Sequence, residues 1–307
     1  MIDPQDIYGI IPPLVTPFKA DGSIDEPLLR ADVRYLIDVA RVHGLTIGGS
    51  TGEGHTLTAE ETRHIVAIAV EEADGRVPVI AGIITDSTRA ALERARLLAD
   101  LKIAALQVTP VHYVFRPDDD AMCRYFGEIA EQSKLPIILY NVVPWSYLPP
   151  KLVLQMLRDI PGVIGVKQSA NDLKSLADIL LFAEEAGISN RVRILTAVDA
   201  MLYPSFQLGA HGAIAAILAA APDWCVALWE AVAANDQIAA QNWHKKLLRL
   251  WNAIEAPNLP ATVRTTMQIC GRHGGYPRAP MAASSPEQQS LIKQALDYIE
   301  EPSSTQL

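Results

Sequence analysis

The 307-residue sequence predicts an α/β protein, a (β/α)8 TIM barrel with a C-terminal helical extension. Three observations support this fold class. Short apolar runs recur along most of the chain, as strands buried on both faces of a parallel sheet do. Amphipathic stretches separate them, which gives roughly eight strand–helix units in about 235 residues. The first run is followed by TPFKADGS, not by the GxGxxG turn that often marks the competing doubly wound open sheet.

The strands and domains follow from the same pattern. Strands are expected at residues 10–16, 45–49, 77–82, 104–109, 136–140, 163–167, 192–197 and 212–217. Residues 1–235 are therefore predicted to form the barrel catalytic domain. Residues 236–307 are predicted to form a helical region that packs on the barrel or on a neighbouring subunit, with helices at 236–254, 258–273 and 286–301. The final residues EPSSTQL are expected to fray.

Local signals predict where some of the helices begin and end. Ser23 with Glu26, and Thr58 with Glu61, have the spacing of a capping box, in which two side chains bond the free amides of a first helical turn. Gly44 follows an amphipathic stretch, so it is predicted to end a helix in the left-handed conformation that glycine adopts easily.

Composition and charge exclude several classes of protein. Apolar residues make up 50% of the chain, so a sizeable core is available. The net charge of −9 disfavours a nucleic-acid partner, and no apolar run approaches the ~18 residues that span a membrane. The start MIDPQDIYG lacks signal-peptide features, and Cys123, Cys225 and Cys270 are too far apart for a disulfide framework. A cytoplasmic protein without nucleic-acid or membrane partners is expected.

Lys167 is the strongest candidate for chemistry. In a barrel the active site lies at the C-terminal ends of the strands, and Lys167 ends the apolar run VIGVK. An amine in an apolar setting loses the solvation that stabilises its charge, and the neutral form is a nucleophile for carbonyl groups. The alternative is a strand-end lysine that points to solvent or to a carboxylate.

Tyr140 ends the preceding run, PIILY, and is expected to face the same barrel mouth. A phenol there can relay protons to and from a carbinolamine or an enamine. The alternative is an aromatic ring packed at the rim. Asn141 is expected to shape the loop that follows.

The segment GGSTGEG follows the second strand, and its glycines allow tight turns with exposed backbone amides. Ser50 and Thr51, next to Gly49, are predicted to bind a small carboxylate. A phosphate loop is the alternative, but the pattern GxxxxGK[ST] is absent. Glu53 is expected to brace the loop rather than to act as a base.

Other polar residues follow the fourth and seventh strands. His112 and Tyr113 lie in the loop after the fourth strand and can reach the site. Asp199 follows the seventh strand and is predicted to be a helix N-cap, with a substrate hydroxyl as the alternative partner. The seven histidines show no metal-ligand spacing, so no metal site is predicted.

These residues together resemble the pyruvate-dependent class I aldolases of the dihydrodipicolinate synthase and N-acetylneuraminate lyase family. The resemblance extends over nearly the whole chain, from PPLVTPF and DGSID through GGSTGE, VTP, YNVVP, IGVKQS and LGAHGAI to NLPATVR and RAPM. GGSTGE, YN and GVK in this order form a specific combination. The resemblance implies a (β/α)8 barrel that assembles as a homotetramer or a homodimer.

The resemblance also implies roles for single residues. Lys167 would form a Schiff base with pyruvate or another 2-oxo acid, so no cofactor is expected beyond this covalent imine. Tyr140 would transfer protons. Ser50 and Thr51 would bind the carboxylate, and Thr51 would also serve the proton relay. The same GGSTGE motif includes Gly49.

Two further positions belong to the binding site that the resemblance implies. Ile214 would offer a backbone carbonyl near the bound substrate. His112 or Tyr113 would stand in for a paired tyrosine that the synthases have after VTP and that is donated across a subunit contact.

Two departures from the family bear on the second substrate. Dihydrodipicolinate synthases have an arginine in the loop after YN that binds the carboxylate of aspartate semialdehyde, whereas this loop reads VVPWSYLP. The sialic-acid lyases have an acidic residue where this chain has Ala200. Trp145, Tyr147 and Phe115 indicate a more apolar or aromatic pocket, so aspartate semialdehyde is not the expected substrate.

Three functions stay open at this point. The first is a Schiff-base lyase or aldolase. The second is a dehydratase or deaminase of a 2-oxo sugar acid or a cyclic imine acid that uses the same lysine. The third is a catalytically silent protein that binds a 2-oxo acid, and the joint presence of Lys167, Tyr140, Ser50 and Thr51 argues against it.

Overall fold

The computed structural model describes residues 4–170 and 172–300, and within them eight parallel strands form one sheet. The strands are β1 (Gly9–Ile10), β2 (Leu45–Ile47), β3 (Val79–Ile83), β4 (Ala105–Val108), β5 (Ile137–Asn141), β6 (Val163–Gln168), β7 (Arg193–Thr196) and β8 (Gly212–Ala213). Strands β2 to β8 pair in sequential order, β1 pairs with β8, and Pro13 bridges Thr46 at the remaining edge. The predicted (β/α)8 barrel is confirmed.

Helices follow each strand and surround the sheet. They are α1 (Glu26–Arg34), α2 (Ala59–Ala73), α3 (Thr88–Leu98), α4 (Asp119–Ser133), α5 (Pro150–Asp159), α6 (Leu173–Glu185), α7 (Leu202–Gln207), α8 (Ile217–Ala220), α9 (Pro222–Ala233), α10 (Gln237–Ile254), α11 (Leu259–Ile269) and α12 (Pro286–Glu300). Among the described residues, no helix is both long enough and apolar enough to cross a membrane. The tail predicted to fray lies outside the described residues.

Most strands differ from the predicted bounds by one or two residues at an end, but two are much shorter than predicted. The run 10–16 is a strand only at Gly9–Ile10, because the following Pro12 and Pro13 have no amide hydrogen to donate to a neighbouring strand. The run 212–217 is a strand only as far as Ala213, and Ile217 already begins α8.

One of the two predicted capping boxes is confirmed. The Thr58 hydroxyl accepts from the backbone N–H of Glu61 at 3.1 Å, and the Glu61 carboxylate accepts from the backbone N–H of Thr58 at 3.0 Å. The prediction for Ser23 and Glu26 is wrong, because Asp25 caps α1 instead.

The helix end predicted at Gly44 is also wrong. Helix α1 continues into a π-helical turn, Tyr35–Val39, and Arg41 rather than Gly44 has a left-handed φ, of 56°. Glycine at this position serves close packing, because a Cβ on Gly44 would lie 3.2 Å from the side chain of Ile11.

The apolar core has two layers, one between the sheet and the helices and one inside the barrel. The inner layer includes Ile80, Ala105, Ile138, Leu195 and Ile214. Side chains alternate between the two faces of a strand, so Gln107 and Tyr140, each two positions further along, also face the barrel axis. Lys167 pairs in register with Tyr140 and therefore faces inward as well.

Three arginines attach the C-terminal region to the barrel. Their ion pairs are Arg264–Glu53 at 2.8 Å, Arg272–Asp32 at 2.6 Å and Arg278–Glu61 at 2.6 Å. The first two pairs are almost completely buried. The C-terminal residues therefore hold the loop after β2 and two barrel helices in place.

Two half-buried histidines make the stability depend on pH. The backbone N–H of Ile10 donates to Nδ1 of His43 at 3.2 Å, and the backbone N–H of Ile194 donates to Nδ1 of His211 at 3.1 Å. Burial lowers the pKa of both imidazoles. Below the ordinary histidine pKa, the unfolded chain therefore binds more protons than the folded protein, so the free energy of unfolding falls as the pH falls.

We expect this free energy to decrease as the pH falls from about 7.5 to about 5, by at most about 1.4 kcal/mol per pH unit for each histidine. Urea unfolding at each pH measures it, for the wild type and for the double variant His43→Asn/His211→Asn. Asparagine keeps an acceptor oxygen near the Nδ1 position and does not titrate, so the free energy of unfolding of the double variant should depend less on pH. The exposed His55→Asn is the control. Equal pH dependence in the wild type and the double variant would contradict the prediction.

Candidate active site

Lys167 and Tyr140 lie side by side inside the barrel mouth. Tyr140 on β5 pairs with Lys167 on β6, and both are near the C-terminal ends of their strands. Only 4% of Lys167 and 3% of Tyr140 is exposed. The Lys167 Nζ lies 3.9 Å from the centroid of the Tyr140 ring. A lysine that points to bulk solvent, the alternative that the sequence left open, is therefore wrong.

The Tyr140 hydroxyl connects this pair to the glycine-rich loop. It donates to Oγ of Ser50 at 3.0 Å, across 90 residues of sequence. Ser50 is exposed to solvent. The phenol and the serine hydroxyl therefore form a hydrogen-bonded pair that leads from the ring beside Lys167 to the surface.

The loop after β2 turns tightly and presents backbone amides. Two of its N–H groups donate to the carbonyl of Gly49, at 3.1 and 3.0 Å. Glycine is needed at Gly52, where a Cβ would lie 2.6 Å from the carbonyl oxygen of Leu14. Within the described part of the chain, the backbone amides of Ser50 and Thr51 have no acceptor. They are therefore available to bind an anionic group.

Glu53 braces this loop, as the sequence predicts. It is fully buried, and its Oε1 lies 2.8 Å from Nη2 of Arg264. Its Oε2 accepts from the backbone N–H of Arg278 at 3.0 Å. Arg264 also donates to the carbonyl of Thr16 at 2.6 Å. The sequence does not reveal Arg264, because an arginine on an amphipathic helix is usually exposed.

Asn141 holds the loop after β5, also as predicted. Its Nδ2 donates to the carbonyl of Leu148 at 2.9 Å and to Oε1 of Gln168 at 2.8 Å. Its Oδ1 accepts from the backbone N–H of Leu148 at 2.8 Å. The side chain therefore fixes the shape of the segment that begins beside Tyr140.

Asp199 adds a carboxyl group to the site. It begins a short 3-10 helix, Asp199–Met201, so the N-cap position predicted for it belongs to Val198. Its Oδ1 instead accepts from the backbone N–H of Ile217, the first residue of α8, at 2.7 Å. Burial raises the pKa of Asp199 to about 7, and the charge of Lys167 opposes this effect. At neutral pH the carboxyl is therefore partly protonated.

Ile214 follows β8 inside the barrel. It is fully buried, and its N–H donates to the carbonyl of Thr196 at 2.9 Å. The carbonyl of Ile214 accepts no hydrogen bond from any of the described residues. This carbonyl is therefore available to a ligand.

In the part of the chain that the structure describes, His112 and Tyr113 make no hydrogen bond to Lys167, Tyr140 or Ser50. Their backbone amides both donate to Oδ1 of Asp86, at 2.7 and 2.8 Å, and the His112 ring contacts the same oxygen at 3.2 Å. Tyr113 is 75% exposed. Trp145 donates from Nε1 to the carbonyl of His112 at 2.7 Å, which joins the loops after β4 and β5. The structure does not bring either residue to Tyr140.

The groups that do come together define what the site can do. A buried amine can form an imine with a carbonyl compound. A phenol, a hydroxyl and a carboxyl of raised pKa can move protons beside it. Among the residues that the structure describes, no group of three histidine, cysteine, aspartate or glutamate side chains could hold a metal ion.

We expect Tyr140→Phe to slow proton transfer by about 10²- to 10⁴-fold. The variant keeps the ring beside Lys167 and loses only the hydroxyl that donates to Ser50. The measurement is deuterium exchange at C3 of pyruvate in heavy water. Tyr147→Phe is the matched control, because its hydroxyl donates to the carbonyl of Ser169. Equal exchange rates in the two variants would contradict the prediction.

Comparisons with known proteins agree with this geometry. The model of the dihydrodipicolinate synthetase family matches residues 6–299. The 4-hydroxy-tetrahydrodipicolinate synthase of Methanopyrus kandleri is 33% identical over 94% of this chain and 95% of its own length. The enzyme of the same name from Phenylobacterium zucineum is 33% identical over 96% of this chain and 98% of its own length.

Solved structures show the same likeness. YagE, a prophage protein of the dihydrodipicolinic acid synthase family from E. coli K12 in complex with pyruvate, has a TM-score of 0.89 and 28% identity over 95% of this chain and 98% of its own. CdNal from Clostridium difficile in complex with mannosamine has a TM-score of 0.85 and 25% identity over 95% and 99%. The chain belongs to the dihydrodipicolinate synthetase family and is a lyase of the class I aldolase type.

Proposed function

We propose that this enzyme forms a Schiff base between Lys167 and pyruvate or another 2-oxo acid, and that the resulting enamine makes or breaks a carbon–carbon bond. The observation that carries the proposal is the buried Lys167 amine beside Tyr140, whose hydroxyl donates to Ser50. A pyruvate complex of a structural relative at 28% identity supports the choice of substrate class.

The proposed reaction follows from these groups. The Lys167 amine attacks the 2-oxo carbon, and water leaves as the iminium forms. The positive nitrogen withdraws electrons, so a C3 proton is lost and an enamine forms. The enamine carbon then attacks an aldehyde, and Tyr140 relays protons through Ser50. The amides of Ser50 and Thr51 would hold the carboxylate, and the Ile214 carbonyl would lie at its side.

We propose that the second substrate is not aspartate semialdehyde, although the relatives at 33% identity carry the name of the synthase. The loop after Asn141 offers the Trp145 indole, which is 64% exposed, and no arginine. An indole cannot replace a guanidinium that binds a carboxylate through two hydrogen bonds. Tyr147, half-buried, and the exposed Phe115 lie in the same two loops and favour an apolar or aromatic aldehyde.

A dehydratase or deaminase acting on a 2-oxo sugar acid or a cyclic imine acid is the second candidate. The observation that favours it is Asp199, because a carboxyl with a pKa of about 7 can protonate a leaving hydroxyl or amine at neutral pH. Such a reaction would use the same imine at Lys167. Product analysis separates the two candidates, since only carbon–carbon cleavage releases an aldehyde.

The test is reductive trapping followed by a substrate panel. The protein is incubated with pyruvate and borohydride, digested, and searched by mass spectrometry for a pyruvyl adduct on Lys167. Turnover of pyruvate is then compared across apolar, aromatic, sugar-derived and semialdehyde partners. An adduct on Lys167 supports the proposal. The absence of an adduct with every 2-oxo acid tested would overturn it, and aspartate semialdehyde as far the best partner would overturn the specificity.

We also propose a homotetramer or a homodimer, as is usual for this family. Tyr113, Val114 and Phe115, together with Trp145, expose more than three fifths of their surface each on two joined loops. Such an apolar cluster is typical of an interface. Light scattering after gel filtration measures the mass, and a monomer would contradict the proposal.

A further inference from the structure

Two polar side chains lie at the same height inside the barrel as Lys167, in the set of four inward side chains that we call its layer. In a (β/α)8 barrel, inward side chains from four alternate strands lie at one height. Neighbouring strands of such a barrel are staggered along the barrel axis. The residue at the same height on the strand two places earlier therefore comes two positions before the residue that strand pairing alone would select. From Lys167 on β6, the registers lead to Gln107 on β4 and Thr46 on β2. Ile214, after β8, completes the layer.

The polar atoms of Gln107 and Thr46 are buried without partners. Both side chains are 0% exposed. Among the residues that the structure describes, neither Nε2 nor Oε1 of Gln107 has a hydrogen-bond partner, and neither has Oγ1 of Thr46. A buried amide without partners is costly, because it gave up its hydrogen bonds to water. Methionine would fill a similar volume at position 107 without that cost.

The side chains of Gln107 and Thr46 lie next to the glycine-rich loop. A Cβ placed on Gly49 would be 3.6 Å from Nε2 of Gln107 and 3.9 Å from Cγ2 of Thr46. The next residue is Ser50, which binds the Tyr140 hydroxyl. The strand registers therefore put the Gln107 carboxamide in the same layer as Lys167, next to the loop whose amides are available to a carboxylate.

We propose that the Gln107 carboxamide, with the Thr46 hydroxyl, binds the water molecule that is exchanged at Lys167. The proposal rests on the imine chemistry of the proposed function. When the amine adds to the 2-oxo carbon, the C–N bond forms and the carbonyl oxygen takes up protons. It then leaves as water when the C–O bond breaks. In the reverse step, water adds to C2 of the iminium, both of its protons pass to the nitrogen, and the C–N bond breaks to give the 2-oxo acid and the Lys167 ammonium.

One amide suits both halves of this exchange. The Nε2 of Gln107 donates to the water oxygen, and its Oε1 accepts one of the water hydrogens. Thr46 supplies a second contact, so a lone pair of the water oxygen points toward C2. Fixing a small reactant in this way removes the entropy cost of finding it in each turnover. Gln107 is thus a positioning residue for the water.

The experiment measures oxygen exchange between pyruvate and ¹⁸O-labelled water, which needs no second substrate. The variant Gln107→Met keeps the volume and removes the amide. We expect its ¹⁸O exchange to be slower by about tenfold or more, while borohydride still traps pyruvate on Lys167. Thr46→Val, nearly the same shape as threonine, should slow exchange by a smaller factor. Thermal unfolding should show both variants at least as stable as the wild type, because the unpartnered atoms are gone.

A second readout separates this role from a purely structural one. In heavy water, slow hydrolysis lets the iminium and the enamine interconvert several times before pyruvate leaves. The number of deuterium atoms at C3 per oxygen exchanged should therefore rise in Gln107→Met. A merely structural defect would lower both exchanges together. Tyr125→Phe, which removes a buried hydroxyl from α4 outside the barrel, is the matched control and should leave both unchanged.

The outcomes distinguish this inference from the proposed function. If the wild type neither exchanges oxygen nor forms an adduct on Lys167, the proposed function fails and the inference fails with it. If the wild type does both and Gln107→Met exchanges oxygen within about twofold of the wild type, the inference alone is overturned. A proportional loss of both exchanges in Gln107→Met would also overturn it.

Discussion

Lys167→Met is expected to abolish imine chemistry, with a loss of pyruvate C3 deuterium exchange of about 10³-fold or more. Methionine has no amine to add to the 2-oxo carbon, and no other lysine in the described chain lies in the barrel interior. The amides of Ser50 and Thr51, which we propose bind the carboxylate, stay in place. Pyruvate should therefore still bind, and the loss should appear in kcat rather than in KM.

The same variant should fold at least as well as the wild type. Lys167 is 4% exposed and forms no ion pair with any described residue, so replacing it with an apolar side chain removes the cost of burying an amine. Thermal unfolding tests this point and separates a chemical defect from a folding defect. Lys174→Met is the matched control, because Lys174 pairs with Asp178 on the surface of α6. If Lys167→Met exchanged deuterium at more than roughly a tenth of the wild-type rate, the mechanism would not require Lys167.

Much of this site can be predicted because, in a barrel, the position of a residue at the end of a strand in the sequence also gives its position at the barrel mouth. Lys167 and Tyr140 each end an apolar run, and parallel strands bring such ends to one mouth. The prediction that both face inward therefore needs only the strand ends and the alternation of side chains. The contact between Tyr140 and Ser50 follows less directly, because it depends on how the glycine-rich loop folds back over the mouth.

The residues that the sequence left unmarked depend on long-range geometry. Arg264 lies 211 positions after Glu53 in the chain, and no local pattern tells a buried arginine on a helix from an exposed one. The raised pKa of Asp199 depends on its burial in the folded chain, which outweighs the opposing hydrogen bond from the Ile217 amide. Gln107 had a local signal, since it interrupts an apolar run, but its partners in the layer emerge only from the strand registers.

Loop side chains are harder to place from the sequence than strand ends. Within this chain the Asp86 carboxylate accepts from the backbone amides of His112 and Tyr113, and Tyr113 is largely exposed. The role of either residue in place of the family's paired tyrosine, which acts across a subunit contact, stays a prediction. A strand end fixes where a loop begins, but hydrogen bonds from other loops decide where its side chains point.

Arg264→Met is expected to lower the free energy of unfolding by about 3–5 kcal/mol. The change leaves the fully buried Glu53 with the backbone N–H of Arg278 as its remaining partner. It also removes the donor to the carbonyl of Thr16. Leaving a buried carboxylate unpaired destabilises a protein by far more than the intact ion pair stabilises it, because the charge stays desolvated while its attraction to the arginine is lost. Urea unfolding measures the change.

A double variant isolates the unpaired charge. Glu53→Gln/Arg264→Met leaves no buried charge behind, so it should be more stable than Arg264→Met alone. Recovery should be partial, because the carbonyls of Thr16, Gly274 and Pro260 still lose their donor. Arg158→Met, from an ion pair on the surface, should not change the stability. A double variant as unstable as Arg264→Met would show that the lost carbonyl contacts dominate.

The Glu53–Arg264 ion pair should also affect substrate binding at the site, which distinguishes it from an ordinary ion pair in the core. Glu53 lies three residues after Ser50, in the loop whose amides are available to a carboxylate. Under conditions where Arg264→Met stays folded, the KM for pyruvate should therefore rise more than kcat falls. Reductive trapping at saturating pyruvate should still label Lys167, because the amine itself is untouched. An unchanged KM would mean that the loop keeps its shape without Arg264, and that the ion pair serves stability alone.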